Sequence, residues 1–324
     1  MKKRFRFLPT SASSTQRLPM DARAELISRR HFLGAAAMGS AGLSLRAAIG
    51  GETKREVIVG GCAWVYALGQ PNYDITPILD TVFADMEYAG MEGIEVMQTT
   101  FRPDNAVERL GALAEKHRMP VIGSSFVGAL WDPRRHEAIL EEAETVIGRL
   151  GKLGGRRLGV SVGAPRGAKE RKTAQQFDDQ ADVLRQLMVI CTAHGVVLNL
   201  HNHTYEVKDD QYDLRNTLER ISDIQLGPDL GWLREAGIDP ASFIRQHGKR
   251  LVFLHLRDQK ADGTWAEAMG EGDTDHVEIA KALREVDFTG YAVIELATPP
   301  KRQTRPTRES LKISRQFVRN TMGY

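Results

Sequence analysis

The sequence predicts a single α/β domain folded as a (β/α)8 barrel, and three observations lead to that prediction. Short β-branched or apolar runs alternate with longer amphipathic stretches along the chain, as in successive strand–helix units. The chain has 324 residues, and the 274 that follow its atypical first 50 suit one barrel of about 250 residues. In the second half, four consecutive runs each end in a residue that could bind a metal ion.

Eight strands and eight helices can be assigned in chain order. The predicted strands are residues 56–63, 93–97, 119–126, 157–163, 196–203, 224–230, 251–257 and 291–296. The predicted helices lie near 74–89, 104–118, 133–153, 173–194, 210–222, 240–247, 275–286 and 308–320. Pro133 and Pro240 occupy first-turn positions that favour helix starts, and Gly90, Gly154 and Gly195 stand where helices should stop.

An open, doubly wound sheet is the main alternative architecture. Such a sheet usually carries a glycine-rich phosphate loop directly after its first strand. Here Gly60 and Gly61 lie inside the first predicted strand, and Cys62, Ala63 and Trp64 follow them in place of that loop. The sequence therefore favours the closed barrel.

Residues 1–50 differ from the rest and resemble a twin-arginine export signal. Arg29 and Arg30 are followed by Phe32 and by a small, weakly apolar run at 34–45. A basic amphipathic helix is an alternative, whereas a membrane anchor is disfavoured because the apolar run is short and Arg46 interrupts it. We expect export to the periplasm by the twin-arginine route, cleavage near 47–51, and a catalytic domain at 51–324.

The first 50 residues carry all of the net positive charge of the chain. They hold nine Lys/Arg and two Asp/Glu, a charge of +7, so the formal net charge of +2 leaves −5 on the remaining chain. A mildly acidic body argues against a nucleic-acid partner. Once the signal is removed, we expect no membrane partner. Cys62 and Cys191 are expected to be small buried residues, and a disulfide between them is left open.

The four candidate metal ligands are His201, Asp229, His255 and Glu295, at the ends of the last four predicted strands. Residues at the C-terminal ends of successive parallel strands converge on one point if the strands close into a barrel. Two imidazoles and two carboxylates suit one divalent ion, Mn²⁺, Co²⁺, Fe²⁺ or Zn²⁺, better than Mg²⁺, although its identity stays open. Taken singly, each residue has a structural alternative: a hydrogen-bonded histidine, a helix-capping aspartate or an ion-paired glutamate at the rim.

Five short motifs resemble the xylose isomerase-like TIM barrel superfamily, and the resemblance covers residues 56–320. The motifs are His201-Asn202-His203, Gly227-Pro228-Asp229-Leu230-Gly231-Trp232, His255-Leu256-Arg257-Asp258, Gly270-Glu271-Gly272 and Ile294-Glu295. The resemblance implies that His201, Asp229, His255 and Glu295 hold one divalent ion. His203 lies two residues beyond His201 on the same strand face, so it is an alternative ligand. His201 is favoured because a Glu-Asn pair occupies the place of His201-Asn202 in related sequences.

The resemblance also raises the question of which group removes a proton from the substrate. In the ketose epimerases of this superfamily, the glutamate in the place of His201 is both ligand and base. Here the candidates for that duty are Glu295, His203, Glu206 and Glu95. The histidine-rich fifth strand, with a glutamate shortly after it, resembles inosose dehydratases and their relatives that act on keto-sugars.

Further side chains are candidates for binding the substrate. Trp64, Phe126, Trp131 and Trp232 could stack on the C–H faces of a sugar, although two of the four could be packing residues. Arg257 and Lys260 could hold a substrate oxygen or phosphate, with a solvated basic loop as the alternative. We expect Asp258 to stand behind the ligands and to orient His255 or Arg257.

These observations predict a divalent-metal sugar isomerase or epimerase that abstracts a proton next to a carbonyl through an enediolate. The alternative is a lyase, dehydratase or hydratase acting on a keto-sugar, keto-glycoside or inosose by β-elimination. A non-catalytic periplasmic sugar-binding barrel is a further alternative. DNA repair is disfavoured because Trp232 stands where the endonucleases of this superfamily carry a histidine. The expected partner is a small, unphosphorylated sugar or keto-sugar, and a homo-oligomer is left open.

Overall fold

The structure is a computed structural model that describes residues 57–165 and 170–324. The predicted export signal and its cleavage region lie outside the described residues. Both expectations therefore stay predictions.

Eight parallel strands form one sheet that is almost completely closed into a barrel. The strands are β1 Ile58–Cys62, β2 Ile94–Met97, β3 Val121–Val127, β4 Arg157–Ser161, β5 Val197–Leu200, β6 Gln225–Leu226, β7 Phe253–Leu256 and β8 Tyr291–Ile294. Their order is β6-β5-β4-β3-β2-β1-β8-β7, so β1 pairs with both β2 and β8. Two isolated parallel bridges, Leu226 to Leu251 and Asp229 to His255, join the remaining edges. The predicted (β/α)8 barrel is confirmed.

Helices alternate with the strands along the chain. The α-helices are α1 Trp64–Ala67, α2 Leu79–Ala89, α3 Ala106–Lys116, α4 His136–Lys152, α5 Ala174–Ala193, α6 Thr204–Arg220, α7 Leu230–Glu235, α8 Pro240–His247, α9 His276–Glu285 and α10 Thr307–Phe317. The 3-10 turns are Pro71–Tyr73, Thr76–Ile78, Gln98–Phe101, Pro133–Arg135, Gly248–Arg250 and Pro300–Arg302, and a π turn at Val318–Met322 follows α10. Within the described ranges, no helix is both long and apolar enough to cross a bilayer.

Local sequence signals account for several helix boundaries. The Asp239 carboxylate accepts the backbone N–H of Ser242 at the start of α8, and Pro240 occupies its first turn. Thr173 caps α5 and accepts the backbone N–H of Gln176. Gly90 ends α2 in the left-handed region, with φ of 76°, where glycine has no Cβ to clash.

Three predicted boundaries are wrong, for identifiable reasons. The predicted strand 224–230 shrinks to the two residues of β6 because the Asp229 side chain caps α7, which starts at Leu230. The predicted helix 74–89 begins only at Leu79, because the 3-10 turn Thr76–Ile78, which contains Pro77, precedes it. The predicted helix 210–222 starts at Thr204, and left-handed backbone at Asp209 and Gln211 interrupts it.

Apolar residues of strands and helices form one large core, and a smaller cluster lies apart from it. The smaller cluster consists of Cys62, Ile122, Phe253 and Val293. Because side chains two residues apart on a strand share a face, Phe253 and Val293 fix the direction of His255 and Glu295. The Phe253 ring packs against the His255 ring at 5.1 Å. The side chains of Ile122, Phe253 and Val293 therefore form an apolar floor beneath the candidate site.

Candidate active site

Polar donors occupy the C-terminal ends of six strands that are consecutive around the barrel. They are His201 after β5, Asp229 after β6, His255 on β7, Glu295 after β8, Cys62 on β1 and Glu95 on β2. Two overlapping groups have donor atoms within 4.8 Å of one another. The first is His201, Asp229 and His255, and the second is Cys62, His255 and Glu295. The four ligands predicted from the sequence thus meet around His255.

His255 lies at the centre of this arrangement. Its Nδ1 atom is 3.0 Å from Nδ1 of His201 and 3.1 Å from Oε2 of Glu295. Its Nε2 atom is 2.5 Å from Oε2 of Glu95. Burial lowers the pKa of His255, but the carboxylates of Glu95 and Glu295 outweigh burial and raise that pKa to about 9.

His201 has the opposite electrostatic character. Burial, together with the neighbouring rings of His255 and His203, holds the pKa of His201 well below its ordinary value. Its imidazole is therefore neutral at physiological pH. A neutral imidazole has a free nitrogen lone pair, which is what a metal ion requires.

Arg257 joins the two predicted carboxylate ligands. Its Nε is 2.7 Å from Oδ2 of Asp229, and its Nη2 is 2.6 Å from Oε1 of Glu295. The guanidinium is buried and lies 5.2 Å from the ring centroids of both Trp232 and Trp265. It is a fixed positive charge with its hydrogen-bonding groups already directed at protein carboxylates.

One carboxylate oxygen at this point remains without a hydrogen bond. Oε2 of Glu295 is buried and has no hydrogen-bond partner, because its contact with Nδ1 of His255 has the distance of a hydrogen bond but not the direction. By contrast, Oδ1 of Asp229 accepts the backbone N–H groups of Gly231 and Trp232. A neutral imidazole, a second imidazole and an unpartnered carboxylate oxygen together fit a divalent cation with mixed nitrogen and oxygen ligands.

A pocket of about 280 Å³, here called the mouth pocket, opens above these ligands. Its lining includes Trp64, Tyr73, Gln98, His203, Trp232 and Arg257. The rings of Trp64 and Tyr73 stack with centroids 5.3 Å apart. Burial lowers the pKa of His203, so its partly exposed ring is neutral. The structure thus brings Trp64, His203, Trp232 and Arg257 to one cavity.

Three predicted substrate-binding residues lie elsewhere. Phe126 is in the large core, whereas its neighbours Ser125 and Val127 line the mouth pocket, because adjacent strand residues face opposite sides. Trp131 follows β3 at a turn and does not line the mouth pocket. Lys260 lines a separate cavity of about 610 Å³ with Trp265. For Phe126 the alternative role of a packing residue therefore applies, and Trp131 and Lys260 lie away from the mouth pocket.

Asp258 was expected to orient His255 or Arg257, but its hydrogen bonds go elsewhere. It contacts neither His255 nor Arg257 through a hydrogen bond, and instead accepts backbone N–H groups of the loop before α9. These donors are Gln259, Gly270, Gly272 and Thr274. Burial alone would raise the pKa of Asp258, but these bonds and the nearby His276 hold that pKa well below its ordinary value. Asp258 therefore orders the loop between β7 and α9.

Glu95 and Glu206, predicted as candidate bases, are both buried beside the ligands and outside the mouth pocket. Glu95 faces the far nitrogen of His255, as described above. Glu206 accepts the backbone N–H of His203 at 2.8 Å and borders a cavity of about 20 Å³ together with His201. Burial raises the pKa of Glu206 to about 8, so this carboxyl is largely protonated at neutral pH.

Two buried residues near the site were not identified from the sequence. Lys172 lies 2.7 Å from Asp213 and near Glu206, but its place just before α5 gave no signal in the sequence. Cys62 and Cys191 are buried, as predicted, and both are free, so the disulfide left open between them is not formed. Burial, reinforced by Glu295 and Glu95, raises the pKa of the Cys62 thiol. Its position near the end of the first predicted strand was the available signal.

Comparison with known proteins identifies a matching family and a relative with a similar sequence. Residues 83–319 match the protein family described as "Xylose isomerase-like TIM barrel". An inosose dehydratase from Geobacillus kaustophilus is 26% identical over 161 residues, which are 42% of this chain and 52% of that protein. The chain thus spans about half the length of this curated relative.

Solved structures with the same fold include sugar epimerases. A D-allulose 3-epimerase from Methylomonas sp., in complex with D-allulose, has a TM-score of 0.65 at 15% identity, covering 82% of this chain and 98% of that one. A 3-keto-D-glucoside 4-epimerase from E. coli has a TM-score of 0.59 at 17% identity, covering 82% of this chain and 100% of that one. At this level of identity the likeness concerns the fold.

Proposed function

Since the chain belongs to the xylose isomerase-like TIM barrel family, we propose that it is a divalent-metal-dependent sugar isomerase or epimerase. It would remove a proton from the carbon next to a carbonyl group. The observation that carries this proposal is the convergence of His201, Asp229 and Glu295 on His255 below an open pocket. A barrel of this kind places its reactive groups at the C-terminal ends of the strands.

The proposed ligands are His201, Asp229, His255 and Glu295. The bound ion would polarise the carbonyl oxygen and stabilise the negative charge of an enediolate. Binding requires His255 to lose the proton that Glu95 and Glu295 favour. Glu95 then remains hydrogen-bonded to Nε2 and leaves Nδ1, the nitrogen facing His201 and Glu295, free to bind.

We assign proton removal to His203. It combines three properties that a base needs: a neutral ring, partial exposure and a place in the mouth pocket. Its ring centroid lies 5.0 Å from that of His201, so it stands beside the proposed ligands. Glu206 fixes the His203 backbone, and its Oε2 is 3.9 Å from Nδ1 of that ring.

The lining of the mouth pocket favours an uncharged sugar. Trp64 and Tyr73 offer a stacked aromatic surface, and Gln98 adds an amide. Arg257 is the one lysine or arginine among the described lining residues, and it is already paired with two carboxylates. A substrate phosphate would therefore meet no uncommitted lysine or arginine side chain there. Free sugars also agree with the export that the N-terminal sequence suggests.

A lyase acting on a keto-sugar or inosose is the second candidate. The similarity to an inosose dehydratase favours it. Both reactions begin with removal of the proton next to the carbonyl. They differ in whether the enediolate is reprotonated or expels a β-oxygen, after which the skeleton contains a new double bond.

Proton NMR in D₂O tests the proposal and separates the two reactions. The metal-loaded protein would be incubated with free ketoses, 3-keto-glycosides and inososes. Deuterium at the α-carbon of an intact skeleton indicates isomerisation or epimerisation, whereas loss of water or of an aglycone indicates a lyase. His255→Ala should abolish either reaction, while His194→Ala, at the end of α5, should not. Sugar binding without exchange or elimination would favour a non-catalytic barrel instead.

A further inference from the structure

Cys62 continues the series of donors beyond the four residues proposed as ligands. The register places Gly61 opposite Ile294 on β8 and Cys62 opposite Glu95 on β2. The next residues along β1 and β8 are therefore Cys62 and Glu295, at the same level. Cys62 thus stands between the two carboxylates, on the strand between theirs.

The distances and the burial at this point favour a ligand over a packing residue. Donor atoms of Cys62, His255 and Glu295 all lie within 4.8 Å of one another. Cys62 borders the mouth pocket although only 3% of it is exposed. Oε2 of Glu295, in the same group, is buried and has no hydrogen-bond partner. An unpartnered carboxylate oxygen beside a thiol and an imidazole is an arrangement that a cation would complete.

We propose that Cys62 supplies a thiolate ligand to the divalent ion, so that the ion is held by nitrogen, oxygen and sulfur. This inference rests on the proposed metal-dependent function. Thiolates favour Zn²⁺, Co²⁺ and Fe²⁺ over the harder Mn²⁺ and Mg²⁺. On binding, the ion replaces the proton of the thiol, and that proton is released to the solvent. The sulfur atom keeps its oxidation state.

The second cysteine provides a matched control within the same chain. Cys191 is also buried and free, but it lies on α5, on the outside of the barrel. Its thiol belongs to neither group of candidate ligands. Cys191→Ser therefore removes a buried thiol without touching the site.

The test is the absorption spectrum of the full chain loaded with Co²⁺. Visible d–d bands report that Co²⁺ is bound, and a near-ultraviolet thiolate-to-cobalt band reports sulfur in the shell. We expect both kinds of band in the unmodified protein and in Cys191→Ser. In Cys62→Ser the near-ultraviolet band should be lost while the d–d bands persist. Competition should also show that the preference for Zn²⁺ over Mn²⁺ falls in Cys62→Ser alone.

The unmodified protein decides the inference even if Cys62→Ser fails to fold. Visible bands without the near-ultraviolet band would overturn the thiolate assignment and leave the proposed function standing. Absence of all cobalt bands would overturn both. If the near-ultraviolet band is lost in Cys191→Ser and retained in Cys62→Ser, the sulfur ligand is Cys191. That result would also contradict the proposal.

Discussion

The Nε2 atom of His255 lies 2.5 Å from Oε2 of Glu95, whereas the other ring nitrogen, Nδ1, faces His201 and Glu295. Both side chains are buried, on β7 and β2. A carboxylate behind a histidine fixes the orientation of its ring and leaves the opposite nitrogen for a ligand. Glu95 therefore acts as a positioning residue for His255.

Glu95→Gln should weaken metal binding while leaving the fold intact. Loss of a carboxylate behind a ligating histidine typically lowers metal affinity or activity about 10- to 100-fold. Affinity would be measured by competition with a chelator of known strength. Glu108→Gln, on the exposed side of α3, is the matched control and should retain full affinity. Equal affinities in both variants would show that Glu95 does not support His255.

His203→Gln should remove the base without removing the metal. Gln keeps the backbone N–H that Glu206 binds, but its amide does not accept a proton. Turnover should fall by about 10²- to 10⁴-fold, the usual contribution of a positioned general base. Metal content and KM should change little. Turnover close to that of the unmodified enzyme would exclude His203 as the base, and loss of metal would identify it as a ligand.

Arg257→Met should destabilise the metal-free protein, because it leaves Asp229 and Glu295 buried without their counter-charge. Removal of one partner from a buried pair costs about 3–5 kcal/mol in the free energy of unfolding. Urea denaturation would measure the loss, with Arg118→Met, an exposed surface change, as control. A divalent ion would restore part of that charge, so it should stabilise Arg257→Met more than the unmodified protein. Equal stabilisation of the variant and the unmodified protein would show that the ion does not bind at these carboxylates.

Glu206 makes stability depend on pH in a defined direction. The folded protein keeps its proton up to a pKa of about 8, whereas the unfolded chain releases it near 4.5. Between those values the folded state binds more protons, so the free energy of unfolding should decrease as pH rises. In Glu206→Gln, the part of this decrease in the free energy of unfolding that comes from Glu206 should be absent. Urea denaturation at both ends of this window would measure it, with exposed Glu219→Gln as control. An unchanged slope in Glu206→Gln would contradict the raised pKa.

The barrel could be predicted because its signals are local. Each strand is a short apolar run, and caps such as Thr173 and Asp239 or stops such as Gly90 punctuate the helices. The errors arise where two signals overlap. Asp229 both follows an apolar run and caps the next helix, so the sequence alone did not separate the end of β6 from the start of α7.

The candidate site could be predicted only as far as strand position determines it. His201, Asp229, His255 and Glu295 were singled out because each lies at or near the C-terminal end of a predicted strand. The two roles left open for Phe126, substrate contact or packing, could not be separated, because a shift of one residue along a strand reverses the direction of its side chain.

Contacts between side chains on different strands could not be predicted from the sequence. The pairing of Arg257 with two carboxylates and the position of Glu95 behind His255 depend on rotamers of residues far apart in the chain. The burial of Cys62 was expected, but its place among the ligands required the register of β1 against β8. Such relationships carry no periodic pattern that a single sequence displays.

The most direct test of the account is the divalent-metal content of the purified chain, compared with that of His255→Ala. After loading and equilibrium dialysis, we predict one ion per chain in the unmodified protein and almost none in the variant, with both proteins folded by circular dichroism. An unmodified protein that holds no ion, or a His255→Ala protein that holds as much as the unmodified one, would contradict the proposed metal centre.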